Sequence, residues 1–322
     1  MEQHAATTSL ETAHSGPIAD VATDALGRRL ASGGEDGLIQ LWDVLPTNAL
    51  EATAALHGHE GPIVQLSWAH HRFGGMLASC SMDKTVTVWV EATERQWIKS
   101  YMRPLPYFPT SIAWAPHEYG PQFACAASNG KVFVFTGIST PNSRTVEQWE
   151  VTDFDAHPNT CTSLSWAPCL PPGSLCTIPV SQQPGQQLNT GLPPQRIVTA
   201  GNEKGLKVWR FIPQDRHWAR EELIREDVNA SWVEASWAPN LGLPFTYIAG
   251  GAMDGLVVVW RQDGLDGKWS SAMLPQFGGA ITRLSWSHVG TFLLVSCADQ
   301  TATLWRETPT GEWVKQSSLD GK

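Results

Sequence analysis

Tyrosine is scarce in this 322-residue chain, with 4 against 16 tryptophans, and charged residues reach only 16%. The charge that is present leans acidic, for a formal net charge of −9. A chain so short of basic residues is not built for general affinity to nucleic acid or anionic membrane surfaces, which needs a basic face. Long hydrophobic runs are also missing: none approaches the roughly 20 residues of a membrane span. The N-terminal M-E-Q-H-A-A-T-T-S-L-E-T has no basic region leading into an apolar core, so no secretory leader is read there. These features predict a soluble, cytosolic protein. The six cysteines (80, 125, 161, 169, 176, 297) show neither CxxC nor Cys/His zinc spacing. Cys80, Cys125 and Cys297 sit in the apolar runs A-S-C-S, A-C-A-A and V-S-C-A, where a thiol behaves as a small hydrophobe, and the reading is a reducing compartment. The ten histidines form no H-E-x-x-H, and neither G-x-S-x-G nor G-x-x-x-x-G-K-[ST] occurs. No enzyme, metal or cofactor is predicted.

What the chain does have is repetition. Aligned on the aromatic that closes a β-rich run, segments end at Trp42, Trp89, Phe135, Trp209, Trp260 and Trp305. Four of the five intervals match the roughly 40–45 residues of a propeller blade, and the other carries an insertion. Six residues before each aromatic stands Asp36, Asp83, Asn129, Glu203, Asp254 or Asp299, suited to capping the tight turn between a second and a third strand. First strands end in Trp68, Trp114, Trp166, Trp237 and Trp286; fourth strands carry Trp97, Trp149, Trp218, Trp269 and Trp313. Repetition at three structural positions thus accounts for every tryptophan except Trp232. His14, His57, His59 and His157 fall where a G-H-type turn tethers one strand to its neighbour. Six repeats are read at 17–56, 60–104, 109–153, 158–225, 230–276 and 279–320. No helical period separates them, so the fold class is all-β, a six-bladed β-propeller.

Two stretches fall outside the pattern. Residues 169–195, rich in Pro, Gly and Gln, are read as a surface insertion in blade 4, disordered near 181–195. Tyr101–Pro109, Y-M-R-P-L-P-Y-F-P, is read as a loop joining blades 2 and 3. The strand count also leaves a remainder. Blade 6 has its own fourth strand at 311–319, so T-T-S-L-E-T-A-H at 7–14 becomes a spare strand, and residues 1–16 an N-terminal arm to a propeller spanning 17–322. An unclosed ring would expose apolar faces and strand edges that a strand-donating partner could cover.

Several stretches carry a resemblance: H-G-H-E-G-P-I-V-Q-L-S-W-A-H at 57–70, L-A-S-C-S-M-D-K at 77–84, W-A-P-H-E-Y-G at 114–120, W-A-P-C-L-P-P-G-S-L at 166–175 and W-A-P-N-L-G-L-P at 237–244. Spread over blades 2 to 5, they resemble the Sec-thirteen family, the WD-repeat propeller of the coat protein complex II outer coat and of the nuclear pore scaffold. P-P-G-S-L is the most telling, because it lies outside the generic repeat. The resemblance implies an open six-bladed ring completed by a blade from an α-solenoid partner: a Sec-thirty-one type subunit in the vesicle coat, the long-armed nucleoporin in the pore. On that view the contact residues are Thr8, Leu10 and Thr12 of the spare strand, Ile18 and Val21 of the first strand of blade 1, and Ile281, Leu284 and Trp286 of blade 6. The departures are the missing first-strand tryptophan of repeat 1, the Tyr101–Pro109 stretch, and Asn129 with Phe135 in repeat 3. A generic WD-repeat adaptor with a closed ring and the sister propeller of the pore stand as alternative readings.

Overall fold

The computed structural model describes residues 12–47, 49–139, 146–170, 192–203, 205–221, 230–240, 242–264 and 267–320. Thr8, Leu10 and residues 171–191 of the insertion therefore lie outside the described residues. The chain divides into two compact units, Met1–Pro104 and Leu105–Lys322.

The first unit holds two four-stranded sheets. One is built from β1 (Ile18–Thr23), β2 (Arg29–Gly34), β3 (Ile39–Val44) and β4 (Leu50–Leu56). The other contains β5 (Ile63–Trp68), β6 (Met76–Ser81), β7 (Thr85–Thr93) and β8 (Gln96–Pro104). The second unit holds four. They are β9 (Pro109–Trp114), β10 (Gln122–Ala127), β11 (Lys131–Ile138) and β12 (Gln148–Asp155); β13 (Cys161–Trp166), β14 (Arg196–Gly201), β15 (Lys207–Ile212) and β16 (His217–Glu221); β17 (Trp232–Trp237), β18 (Phe245–Ala252), β19 (Val257–Asp263) and β20 (Trp269–Met273); and β21 (Ile281–Trp286), β22 (Phe292–Cys297), β23 (Thr301–Glu307) and β24 (Trp313–Asp320). Each sheet is an antiparallel meander in sequence order. Among the described residues, apart from two single 3-10 turns, His71–Phe73 and His117–Tyr119, the regular structure is all strand. Six such sheets, one per sequence repeat, give an all-β fold of the six-bladed WD-repeat propeller class.

Burial grades across each meander, and the sequence follows it. Two second strands are enclosed on both faces: every residue of β6 and of β10 is buried, which is why both read as continuous small or apolar runs, whereas β22 is buried only at alternate residues. Fourth strands are solvent edges, and β8 has no buried residue at all. That edge position explains one departure from the sequence reading. Tyr101–Pro104 is not loop but the end of β8, paired residue by residue back to Thr85. A proline cannot donate to a ladder, but on an outer strand its missing N–H has no partner to lose.

The acidic turn residues cap as the pattern requires. Side chains of Asp36, Asp83, Asn129, Asp254 and Asp299 each accept the backbone N–H two residues on, at 2.8–3.2 Å. The residue after each cap is left-handed, with φ of 74° at Gly37, 65° at Lys84, 85° at Gly130, 86° at Gly255 and 67° at Gln300. At Gly130 the requirement is double, since a Cβ there would lie 1.9 Å from the carbonyl oxygen of His157.

Tryptophans from two of the three series meet. First- and fourth-strand indoles pack edge to face in five sheets: Trp68–Trp97, Trp114–Trp149, Trp166–Trp218, Trp237–Trp269 and Trp286–Trp313, with centroids 5.6–6.1 Å apart and planes at 66–75°. Such pairs add about 0.5–1.5 kcal/mol beyond their buried area. The first sheet has no indole pair. Around its outer end lies an ionic cluster in which Arg29 donates to both oxygens of Glu91 (2.6 and 3.1 Å), while Arg95 reaches Asp43 and Glu51, each at 3.1 Å.

Candidate interaction face on the first strand

Three sites in the two units contain a hydroxyl, an imidazole and a carboxylate in line, an arrangement that elsewhere activates a nucleophile. His14 bonds Ser32 (2.9 Å) and Asp36 (3.2 Å); His59 bonds Ser79 (2.7 Å) and Asp83 (3.0 Å); His157 bonds Thr199 (2.9 Å) and Glu203 (2.6 Å). In each the hydroxyl also accepts the indole N–H of the third-strand tryptophan: Trp42 at 3.4 Å, Trp89 at 2.9 Å and Trp209 at 3.0 Å. Ser32 is 2% exposed, and Ser79 and Thr199 are fully buried, so no substrate reaches the oxygen. Repetition and burial make these relays internal tethers, as read for His14, His59 and His157; His57 is exposed and stands apart.

Electrostatics agree with that role. Burial holds His59 below the usual imidazole range against the opposing pull of Asp83. Burial, reinforced by the nearby Lys207 charge, drives His157 down to about 4 although Glu203 bonds it. Glu203 is the variant cap: in place of the turn it engages His157 and the Lys207 ammonium (2.5 Å). Cys80, Cys125, Cys161, Cys169 and Cys297 are buried free thiols, and burial pushes the Cys161 thiol far up. Among the described residues no group of His, Cys, Asp and Glu could hold a metal ion.

What distinguishes one surface from its repeats is the innermost strand. All six first strands carry an irregularity in their pairing near the start, with Ile18, Ile63, Pro109, Cys161, Trp232 and Ile281 before it. Residues after it at the equivalent register are Val21, Leu66, Ile112, Leu164, Ala235 and Leu284, opposite Ser32, Ser79, Cys125, Thr199, Gly250 and Val295. Four of these pairs fill a core with the preceding sheet: Ile63 and Leu66 join Ala31, Ile39 and Leu41; Cys161 and Leu164 join Ala124 and Val134; Trp232 and Ala235 join Val198 and Val208; Ile281 and Leu284 join Tyr247 and Ala249. Pro109 and Ile112 are buried as well. In β1 the same two positions are open: Ile18 is 42% and Val21 49% exposed, against at most 4% for Ile63, Leu66, Ile281 and Leu284.

Polar links between successive first strands follow one scheme. The residue after the irregularity accepts a backbone N–H of the next sheet: Asp20 from Leu66 (2.8 Å), Ser111 from Leu164 (3.3 Å), Ser163 from Ala235 (3.3 Å). The closing tryptophan reaches back, Trp68 to the Ala22 carbonyl (3.0 Å), Trp166 to Ala113 (3.0 Å), Trp286 to Ser236 (3.2 Å). β1 closes on Thr23 and has no such indole.

The predicted contact residues therefore behave differently. Ile18 and Val21 share one open face of β1. Thr12 is partly buried in the non-strand segment before it. Ile281 and Leu284 face the sheet that precedes theirs, and Trp286 stacks on Tyr247 at 5.5 Å with its indole N–H committed to Ser236. The ionic tie from Arg29 to Glu91 was not foreseen, since no linear spacing signals a bond across 62 residues.

Comparison with known proteins places the chain among relatives of its own length. The family model "WD domain, G-beta repeat" matches residues 7–43, 50–90 and 272–306. The chain is 35% identical to the protein transport protein SEC13 of Cryptococcus neoformans, covering 94% of this chain and 95% of the relative. It is 32% identical to that of Mycosarcoma maydis (97% and 94% covered) and 33% identical to the SEC13 homolog of Drosophila melanogaster (95% and 82% covered).

Proposed function

Because this chain belongs to the SEC13 family of protein transport proteins, a family of WD-repeat propellers and not of enzymes, we propose that it is a structural scaffold subunit whose β1 face receives a blade from an α-solenoid partner. The partner in the coat protein complex II vesicle coat would be a Sec-thirty-one type subunit; in the nuclear pore outer ring it would be the long-armed nucleoporin. The protein would then act in the cytoplasm, peripherally at endoplasmic reticulum exit sites and coated vesicles, and at the pore, in ER-to-Golgi transport and in mRNA traffic through the pore. Among the described residues no helix is long and apolar enough to cross a membrane, so contact with the bilayer would come through the assembled coat.

The observation that carries the reading is the exposure of Ile18 and Val21 where equivalent side chains elsewhere are buried. Covering two half-exposed aliphatic side chains yields on the order of 1 kcal/mol each. That is far too little to hold a partner, so a small peptide hook would not suffice. A whole inserted sheet, adding main-chain contacts and the rest of its apolar face, meets the need. The repeated scheme states what its first strand should offer: an Asp or Ser side chain placed to accept the Val21 N–H, as Asp20 accepts that of Leu66.

The test is co-expression with candidate partner blade segments, followed by size-exclusion chromatography. Wild type should co-elute with the donated blade. The variant Val21→Asp should keep its fold and lose the complex, whereas soluble monomer with no stable complex for wild type would refute the proposal.

A further inference from the structure

Three of the third-strand tryptophans are followed by arginine: Arg210, Arg261 and Arg306. Arg210 lies 4.0 Å from Glu221. Arg261 is fully engaged, giving two N–H groups to Asp263 (2.9 and 3.0 Å) and one to Glu307 (2.7 Å). Arg306 has no acidic partner among the described residues; its guanidinium rests 5.4 Å over the Phe292 ring.

Arg306 also lines a cleft of about 320 Å³ with Phe245, Tyr247, Arg261, Thr291, Glu307, Thr308 and Pro309. Such a volume sits at the lower end of small-ligand sites. On one side of the cleft the cation is already taken. Glu307 is 13% exposed, takes the Arg261 N–H and accepts the Tyr247 hydroxyl, while Arg261 lies 4.1 Å over Phe245. This half matches the tie of Arg29 to Glu91 in the first unit, because Arg29 and Tyr247 precede equivalent residues of their second strands and Glu91 and Glu307 stand two residues after Trp89 and Trp305. That half is a clasp. The other half, Arg306 with the Thr291 side chain beside an aromatic wall, has no counterpart in the clasp.

We propose that this cleft between β18–β19 and β22–β23 binds a carboxylate, presented by an acidic side chain of an extended protein segment, with Arg306 as its cationic anchor. The guanidinium fork matches a carboxylate in two parallel bonds. The Thr291 hydroxyl adds a third donor, and Phe245 receives the aliphatic part of the acidic residue. Asp263 and Glu307 both engage Arg261, so Arg306 is the guanidinium left with its N–H fork open to an incoming carboxylate. A phosphate dianion would instead set its second charge against Glu307.

The experiment follows two signals of the full chain by NMR: the Arg306 Nε–Hε resonance, assigned through its loss in Arg306→Gln, and the backbone amide of residue 291, which persists in every variant and reports binding there. Three probes are titrated at constant ionic strength: a capped Gly-Glu-Leu tripeptide, its Gly-Gln-Leu counterpart, and glutarate. The Glu peptide should give a saturable shift, about tenfold tighter than the Gln peptide, as expected when a charge-assisted pair is replaced by a neutral one. Arg306→Gln should abolish the response with an unchanged melting temperature, and Thr291→Val should weaken it several-fold. Tighter binding of the Glu peptide than of glutarate assigns the site to a protein segment; equal binding supports carboxylate recognition and assigns it to small acids. Equal affinity for the Glu and Gln peptides, a shift that never saturates, or a response surviving in Arg306→Gln overturns the proposal. Should Arg306→Gln fail to fold, the peptide pair tested on wild type and Thr291→Val decides it.

Discussion

Acid should unlock the fourth sheet through His157. In the folded protein its imidazole is held at about 4, below the ordinary 6.5, chiefly by burial and then by the Lys207 charge, with Arg220 adding to it and Glu203 opposing. A base whose folded pKa is depressed destabilises the fold as it gains its proton. Stability is therefore complete above pH 6.5, falls as pH drops from 6.5 towards 4, and levels off below. In that window the unfolded chain carries up to one more proton, so the slope reaches about 1.4 kcal/mol per pH unit. Over about 2.5 units the loss from this residue is about 3 kcal/mol. His157→Gln removes the titration together with the bonds to Thr199 and Glu203, and should cost roughly 1–3 kcal/mol at pH 7. Urea denaturation followed by tryptophan fluorescence at pH 7, 6, 5 and 4 should show the stability difference moving by about 3 kcal/mol in the variant's favour, so that its deficit vanishes or reverses by pH 4. A deficit that stays constant, or widens towards pH 4, would refute the reasoning; so would an imidazole titrating near 6.5 by NMR.

Trp218→Ala should cost about 3–5 kcal/mol in urea denaturation, because it empties a core position and ends the edge-to-face pair with Trp166. Arg29→Met leaves Glu91, 13% exposed, without its main partner, and should cost about 2–3 kcal/mol; the double variant with Glu91→Leu should recover most of it, a coupling that a double-mutant cycle measures. Gly130→Ala should lose well over 1 kcal/mol, from the left-handed φ and the collision with the His157 carbonyl, whereas Lys84→Gly at the equivalent turn should be neutral or better by thermal melting.

The sheets were legible from sequence because each level of signal repeated. The aromatic closing each third strand, the acid six residues before it and the turn chemistry between them all point to one meander. Asp36, Asp83, Asn129, Asp254 and Asp299 cap as their spacing predicts. Glu203 does not, since one extra methylene lets its carboxylate reach past the turn to Lys207 and His157. The tryptophan count announced packing but not partners: that Trp68 meets Trp97 rather than Trp89 depends on strand twist and rotamer. Exposure on β1 was partly legible. A strand count singled out Ile18 and Val21, yet alternation cannot say which neighbour covers a face, and Ile281 and Leu284 turn out to serve the sheet before their own. The cleft around Arg306 left no linear trace, because its walls come from 245 to 309 and meet only after two sheets pack.

The links along the first strands have a thermodynamic consequence. Asp20 and Ser111 each hold an N–H of the next sheet, and Trp68 and Trp166 each hold a carbonyl of the one before. Melting one sheet therefore strands polar groups at the innermost edge of its neighbours, where desolvation makes orphans costly. Coupling of this nearest-neighbour kind drives repeats to unfold in blocks and not singly. Links that reach outer strands, such as Arg95 to Glu51 on β4 and Arg216 to Glu150 on β12, are exposed ion pairs worth little, so fraying can begin at the rim and leave the inner edge intact.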